Sequence, residues 1–171
     1  MIQLLQDAVA NKQTGAIEIP TKQTADVYTD AGQRDWGAYI DVDLSEQYAR
    51  YYDASNNILW ESHIISGNPN TDHSTPTGIY RMNQKSRGAL LVGADEDKDG
   101  EPDYKTPVAY WMPFVGGAVG LHDADWQSSA AFADPSAYTY RGSHGCVNLP
   151  VDKAAQLYDM IDSGLCVITH Y

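Results

Sequence analysis

A thiol, an imidazole and a glycine stand side by side in Ser143-His144-Gly145-Cys146-Val147-Asn148. A further histidine, His122, lies upstream in Val119-Gly120-Leu121-His122-Asp123. A thiol is a weak nucleophile until it loses its proton. A neighbouring imidazole can take that proton and hold the thiolate as an ion pair. A cysteine with a histidine elsewhere in the chain is therefore the pattern of a nucleophile and its base. In extended backbone, His144 and Cys146 project to one face. His122 ends a predicted strand and can approach from a neighbouring one. Cys146 is read as the nucleophile and His122 as the base, with His144 shaping the pocket or steering the departing or incoming amine. Gly145 lets a carbonyl approach the backbone, and the amides of Gly145 and Cys146 are expected to form an oxyanion hole. The plainer alternative is a small buried cysteine in a turn with two locally satisfied histidines, against which the whole hexapeptide and His122 argue together.

Strands must do most of the positioning. Residues 39–44 alternate apolar and polar, 45–47 turn, 48–52 return, 53–57 turn again and 58–65 make a third strand. Further short strands are predicted at 78–82, 89–92, 108–111, 118–121 and 165–169. Many short strands with Gly/Pro-rich connections favour a sandwich or a barrel. Val151, Ala154, Ala155, Tyr158 and Ile161 share one helical face, with Pro150 in the first turn and Gly164 beyond the end. Residues 125–139 are expected to form a long loop, a frequent form for an active-site lid.

The chain has 171 residues, enough for one domain with a small appendage. Residues 2–10 carry apolar positions at helical spacing, and a polar stretch follows. Residues 1–35 are therefore expected to be a helix and linker ending a preceding domain, with the domain proper at 36–171. The opening Met-Ile-Gln-Leu-Leu-Gln reads as a helix interior cut open, so the chain is expected to be a fragment. A net charge of −12 opposes nucleic acid and anionic membranes as partners. Twelve tyrosines and four tryptophans against two phenylalanines suit half-exposed strands and open grooves. Cys146 and Cys166 make no disulfide framework, and Cys166, in Leu165-Cys166-Val167-Ile168, is expected to be a small core residue. No stretch approaches the ~20 apolar residues of a membrane span, and no basic-then-apolar leader opens the chain.

Two metal patterns fail. Asp95-Glu96-Asp97-Lys98-Asp99-Gly100 begins like a calcium loop, but its twelfth position is Thr106, where a bidentate Glu is needed. A solvated acidic hairpin tip is the preferred reading, and its charge would attract a cationic amine. His122, His144 and Cys146 could ligate zinc with His63, His73 or His170, but His-x-Cys is not a usual zinc spacing. No metal or cofactor is expected, and His63, His73 and His170 are read as surface or strand histidines.

The hexapeptide matches the Ser/Thr-His-Gly-Cys-aliphatic-Asn signature of the L,D-transpeptidases, the YkuD-type enzymes that cross-link peptidoglycan. Arg141-Gly142 before it is also family-like. His122-Asp123-Ala124-Asp125-Trp126-Gln127 resembles the histidine-bearing segment of the Gram-positive members, and Tyr110-Trp111-Met112-Pro113 resembles the strand end before it. Residues 39–52 resemble the opening hairpin. Ser66-Gly67 with Thr75-Pro76-Thr77-Gly78 resembles a further conserved stretch. The likeness covers residues 39–168. It implies a mainly β fold, a β-sandwich of mixed sheets with one helix in the C-terminal region and the cysteine at a cleft. It also implies a reaction. The Cys146 thiolate attacks the bond after the third residue of a tetrapeptide stem, D-alanine leaves, and the acyl group passes to a side-chain amine of a second stem as a 3→3 cross-link.

By the same resemblance, His122 is the base, oriented by the backbone carbonyl of Asp123 and not by its carboxylate. Tyr110, Trp111 and Trp126 would wall the cleft, and Asn148, Ser143 and Arg141 would brace the catalytic turn. The partners would be peptidoglycan stem peptides, with no nucleic acid and no stable protein partner, and the protein is expected to be a monomer. The site of action would be extracytoplasmic, with membrane anchoring or secretion in the full-length protein, and a carbapenem would acylate the thiol. Twenty residues separate His122 from Ser143, more than the family pattern, the extra length lying in 128–140. Two alternatives stay open: an L,D-carboxypeptidase, in which water accepts the acyl group, and a wall-binding module without turnover.

Overall fold

A computed structural model describes residues 10–11, 37–96 and 98–171. The expected N-terminal helix and linker, residues 1–35, lie outside the described residues apart from 10 and 11. From residue 39 alternation dictates the build. Strands β1 (Tyr39–Asp43) and β2 (Tyr48–Tyr52) bury every second side chain, Ile40, Val42, Ala49 and Tyr51, and pair antiparallel. Asp43 closes their turn by accepting from the amides of Ser45 and Glu46 at 2.9 and 2.8 Å.

Strand β3 (Ile58–His63) follows, then β4 (Gly78–Arg81), β5 (Ser86–Val92), β6 (Lys105–Val115), β7 (Val119–Asp123), β8 (Val147–Leu149) and β9 (Cys166–His170). They form two mixed sheets, one in the order β3-β2-β1-β9-β4 and the other β5-β6-β7-β8. The parallel pairs are β1 with β9 and β7 with β8. The expected mainly β fold with mixed sheets is what the chain adopts. Ile40, Val42 and Val167 from the first sheet meet Met112, Phe114, Leu121, Val147 and Leu149 from the second. Helix α3 (Val151–Met160) adds Ala154 and Leu157 to that core, with Ile161 just beyond it. Each fully buried aliphatic side chain of this kind stabilises the fold by about 1.5–3 kcal/mol.

Three features differ from the sequence reading. Strand β6 runs well past residues 108–111, because the long β5 hairpin and β7 supply pairing partners that periodicity does not register. Strand β8 was not expected: three residues are too few to show alternation, and it forms because β7 lies alongside it. The expected loop of residues 125–139 contains α1 (Ser129–Phe132) and runs into α2 (Tyr138–Arg141). Ser128 caps α1 by accepting from the Ala131 amide at 3.2 Å, and Ala131 and Phe132 bury against Ile65 and Ala124. Among the described residues no helix is long and apolar enough to cross a membrane.

Candidate active site

The parallel register of β7 and β8 sets Leu121 beside Val147 and His122 beside Asn148. Side chains alternate along a strand, so His122, Asn148 and Cys146, two residues before Asn148, share one face. Trp111 is opposite His122 in β6. The His122 ring is only 3 % exposed and lies between Trp111 and Trp126, each 5.9 Å away centre to centre. Its Nδ1 lies 2.9 Å from the Asp123 carbonyl oxygen. A carbonyl can only accept, so Nδ1 carries the hydrogen and Nε2 presents a lone pair. The Asp123 carboxylate does something else. It accepts from the amides of Ala109 and Tyr110 at 3.1 and 2.7 Å, pinning the end of β7 to β6 and so fixing the carbonyl that holds the imidazole.

Cys146 is 8 % exposed and packs on Val108 and Trp111. Its Sγ donates to the Ala118 carbonyl at 3.7 Å. Burial pushes the thiol up to about 11, against the opposing effect of a backbone hydrogen bond from Gly120. Burial also holds His122 below the usual imidazole range, opposed by its bond to the Asp123 carbonyl. Both shifts, caused by desolvation, act against the charged forms that the expected thiolate–imidazolium pair requires.

A network of small residues holds the turn before Cys146. The Ser143 hydroxyl accepts from the Gly145 amide at 3.0 Å and donates to the Cys146 carbonyl at 2.6 Å. The expected oxyanion hole therefore loses one member, because the Gly145 amide is already engaged. The Thr75 hydroxyl accepts from the Gly67 amide at 2.9 Å and donates to the Gly145 carbonyl at 2.8 Å. Gly145 itself has φ +114°, which disfavours any side chain. At Gly67 a Cβ would collide with the His73 carbonyl and come within 2.8 Å of the Gly145 Cα. Gly67→Ala is thus expected to cost about 2 kcal/mol or more of stability and to displace the thiol turn. Thermal unfolding and turnover of this variant check it together: a wild-type Tm with wild-type activity would contradict the close approach.

Two cavities meet at the thiol. The first, about 230 Å³, is lined by His122, Trp126, Arg141, Ser143, Asn148 and Cys146. Trp126 is 46 % exposed at its rim. Asn148 is 2 % exposed, and its Oδ1 has no hydrogen-bond partner among the described residues. The second, about 470 Å³, runs past Trp111, Ala118, Tyr104, His73 and Glu96 to the same sulfur. His144 lines both, its ring packed between His73 at 4.3 Å and Tyr104 at 4.9 Å.

Tyr110 is the one expected cleft residue that the strand turns away. Its ring packs on Tyr158 at 5.4 Å under the Arg87 guanidinium, while Trp111, the next residue, faces the thiol. Arg141 reaches the cleft and exchanges hydrogen bonds with Gln127, whose Nε2 donates to the Arg141 carbonyl at 3.0 Å. His73 is not the surface or strand histidine expected. It is a cavity wall, with Nε2 2.9 Å from Glu96 Oε1 and Nδ1 2.9 Å from Thr71 Oγ1. Its place two residues before Thr75, which ties down Gly145, was the available signal. Tyr104 and Glu96 carried none, since only the β5–β6 connection brings them over the thiol. His63 sits on Tyr48 and His170 pairs with Asp41 at 3.0 Å, both outside the two cavities. Among the described residues no group of three or more His, Cys, Asp or Glu is placed to hold a metal ion.

Comparison with known proteins gives the site a context. The YkuD family, described as the L,D-transpeptidase catalytic domain, matches residues 37–169. The crystal structure of a point mutant of the Enterococcus faecium L,D-transpeptidase is 34% identical with a TM-score of 0.68, over 78% of this chain and 50% of that one. The catalytic domain of the same E. faecium enzyme, acylated by ertapenem, is 36% identical with a TM-score of 0.65, over 78% of this chain and 97% of that domain. An L,D-transpeptidase from Mycobacterium smegmatis is 24% identical with a TM-score of 0.64, over 78% of this chain and 58% of that one, and speaks to the fold alone. The chain thus spans about half the length of the longer enterococcal protein. No curated protein matches it.

Proposed function

The chain belongs to the YkuD family of L,D-transpeptidase catalytic domains, and on that premise we propose that it cross-links peptidoglycan stems through an acyl group carried on Cys146. One observation carries the reading: Cys146 stands where two cavities meet, on the same sheet face as a buried imidazole whose free nitrogen is Nε2. A carrier that must meet a donor and then an acceptor needs two approaches to one atom.

In this reading the pair rests uncharged, as burial of both groups favours. A tetrapeptide stem enters the first cavity, where Asn148 Oδ1 accepts from a stem amide and Trp126 covers it. Cys146 Sγ attacks the carbonyl after the third residue as its proton passes to His122 Nε2. The bond to D-alanine breaks, the leaving amine takes that proton, and a thioester remains. The imidazolium exists only in passage, when Nδ1–H binds the Asp123 carbonyl most strongly. The side-chain amine of a second stem then attacks the thioester, giving a proton through His122 to the departing sulfur. The Cys146 amide remains the backbone candidate for the oxyanion, and Ser143 and Arg141 keep the turn in place. Residues 36–171 form the catalytic unit. The unit works as a monomer on the wall side of the cytoplasmic membrane, where its substrate is found. The second cavity favours an amine over water as acceptor, which sets the transpeptidase reading above the carboxypeptidase one.

Intact mass spectrometry after mixing with a carbapenem tests this. A single covalent adduct is expected, absent from Cys146→Ala. No adduct, or one that survives in the variant, overturns the reading.

A further inference from the structure

Among its described residues, the connection from β5 to β6 carries five carboxylates, Asp95, Glu96, Asp99, Glu101 and Asp103. Four of these carboxylates hold the connection itself together. Asp95 accepts from the amides of Asp99 and Gly100, both at 3.0 Å, and Asp99 accepts from Glu101 at 2.8 Å. Glu101 pairs with Lys105 at 3.2 Å, and Asp103 faces the Glu96 amide at 3.3 Å. Glu96 is the exception. Its carboxylate turns back to His73 Nε2 at 2.9 Å, and of the five it alone lines the second cavity, the one that ends at Cys146. Among the described residues no lysine or arginine lines that cavity. The bond from His73 holds the Glu96 carboxyl below its usual range, so it is ionised at neutral pH. His73 is in turn held by Thr71 and packs on His144, which also lines the first cavity.

We infer that Glu96, fixed by His73 on the wall of the second cavity, is the residue that selects a cationic amine as the acyl acceptor over water. The inference rests on the reading of Cys146 as acyl carrier. A primary amine on a side chain arrives as an ammonium ion at neutral pH. A carboxylate at the open rim of a cavity that no described lysine or arginine lines raises its local concentration. One proton then leaves to solvent and the free amine attacks the thioester carbon. The C–N bond forms, the C–S bond breaks, and the second amine proton passes to the sulfur. Water carries no charge and is not concentrated by the carboxylate, so the charge tilts the outcome towards transfer.

The test is the partition of the acyl-enzyme. Wild-type protein, Glu96→Gln and Asp159→Asn are each given a disaccharide-tetrapeptide, and cross-linked dimer and released tripeptide are quantified by mass spectrometry over a range of acceptor concentrations. Glutamine keeps an oxygen for His73 and removes only the charge. Asp159 pairs with Arg87 outside both cavities and controls for net charge. In Glu96→Gln the dimer-to-tripeptide ratio is expected to fall roughly tenfold, through a higher acceptor KM, while Asp159→Asn keeps the wild-type ratio. The wild-type ratio is also expected to fall more steeply with added salt than that of Glu96→Gln. An unchanged ratio in Glu96→Gln, or an equal fall in Asp159→Asn, overturns the inference alone. Failure of the wild-type protein to form an acyl-enzyme at all overturns the parent reading with it, and is seen before any partition is measured.

Discussion

Cys146→Ala is expected to lose cross-link formation by about 10⁴-fold or more while the fold survives. Without the thiol there is no atom to carry the acyl group, and neither the stem amide nor the acceptor amine reacts unaided on this timescale. The packing cost is small. Removing Sγ leaves a void no larger than one atom beside Val108 and Trp111, worth about 1 kcal/mol. Ser143 and Thr75 continue to hold the turn, because their bonds run to backbone atoms. Turnover assays with thermal unfolding of the same sample separate the two effects. Retained cross-linking in a folded variant would mean that another group does the chemistry.

His122→Gln is expected to cost about 10²- to 10⁴-fold, and its pH profile says more than its size. Burial places the Cys146 thiol at about 11. With no imidazole to take the proton, reaction must wait for a pre-formed thiolate, a fraction of roughly 10⁻⁴ at neutral pH. That fraction rises tenfold per pH unit, so the variant's acylation rate is expected to climb steadily with pH up to about 11. Wild-type protein behaves differently. Its base works while uncharged, and burial holds His122 below the usual imidazole range. Its rate is therefore flat above neutrality and falls only on acidification, as the ring takes a proton. A wild-type rate that climbs as the variant's does would show that His122 is not the base.

Some of this was legible in the sequence because it is written in short-range chemistry. The hexapeptide brought Ser143, His144, Gly145, Cys146 and Asn148 together by contiguity alone, and strand alternation gave β2 to the residue and β1 but for its last position. The helix beginning at Val151 was announced by its apolar face and by Pro150. What escaped depends on distant partners. Strand β8 exists because β7 lies beside it, and no three residues advertise that. Tyr110 and Trp111 are equally aromatic, and only the pleat of β6 decides that the tryptophan faces the sulfur. His73 and Glu96 lie twenty-three positions apart in the chain and become one feature through a hairpin that folds back over the cleft. The direction in which burial pushes Cys146 and His122 escaped as well, because desolvation is a property of the walls, and the walls come from β6, β7 and the segment bearing Trp126.

The most direct measurement is single-turnover trapping. The protein is mixed with a disaccharide-tetrapeptide whose side-chain amine is acetylated, so that it can donate but not accept, then quenched in acid, digested and mapped by mass spectrometry. The expected result is the donor less its D-alanine, joined to the peptide that contains Cys146 through a bond that hydroxylamine cleaves. D-Alanine release with that peptide unmodified, or with the acyl group on any other residue, would contradict the account.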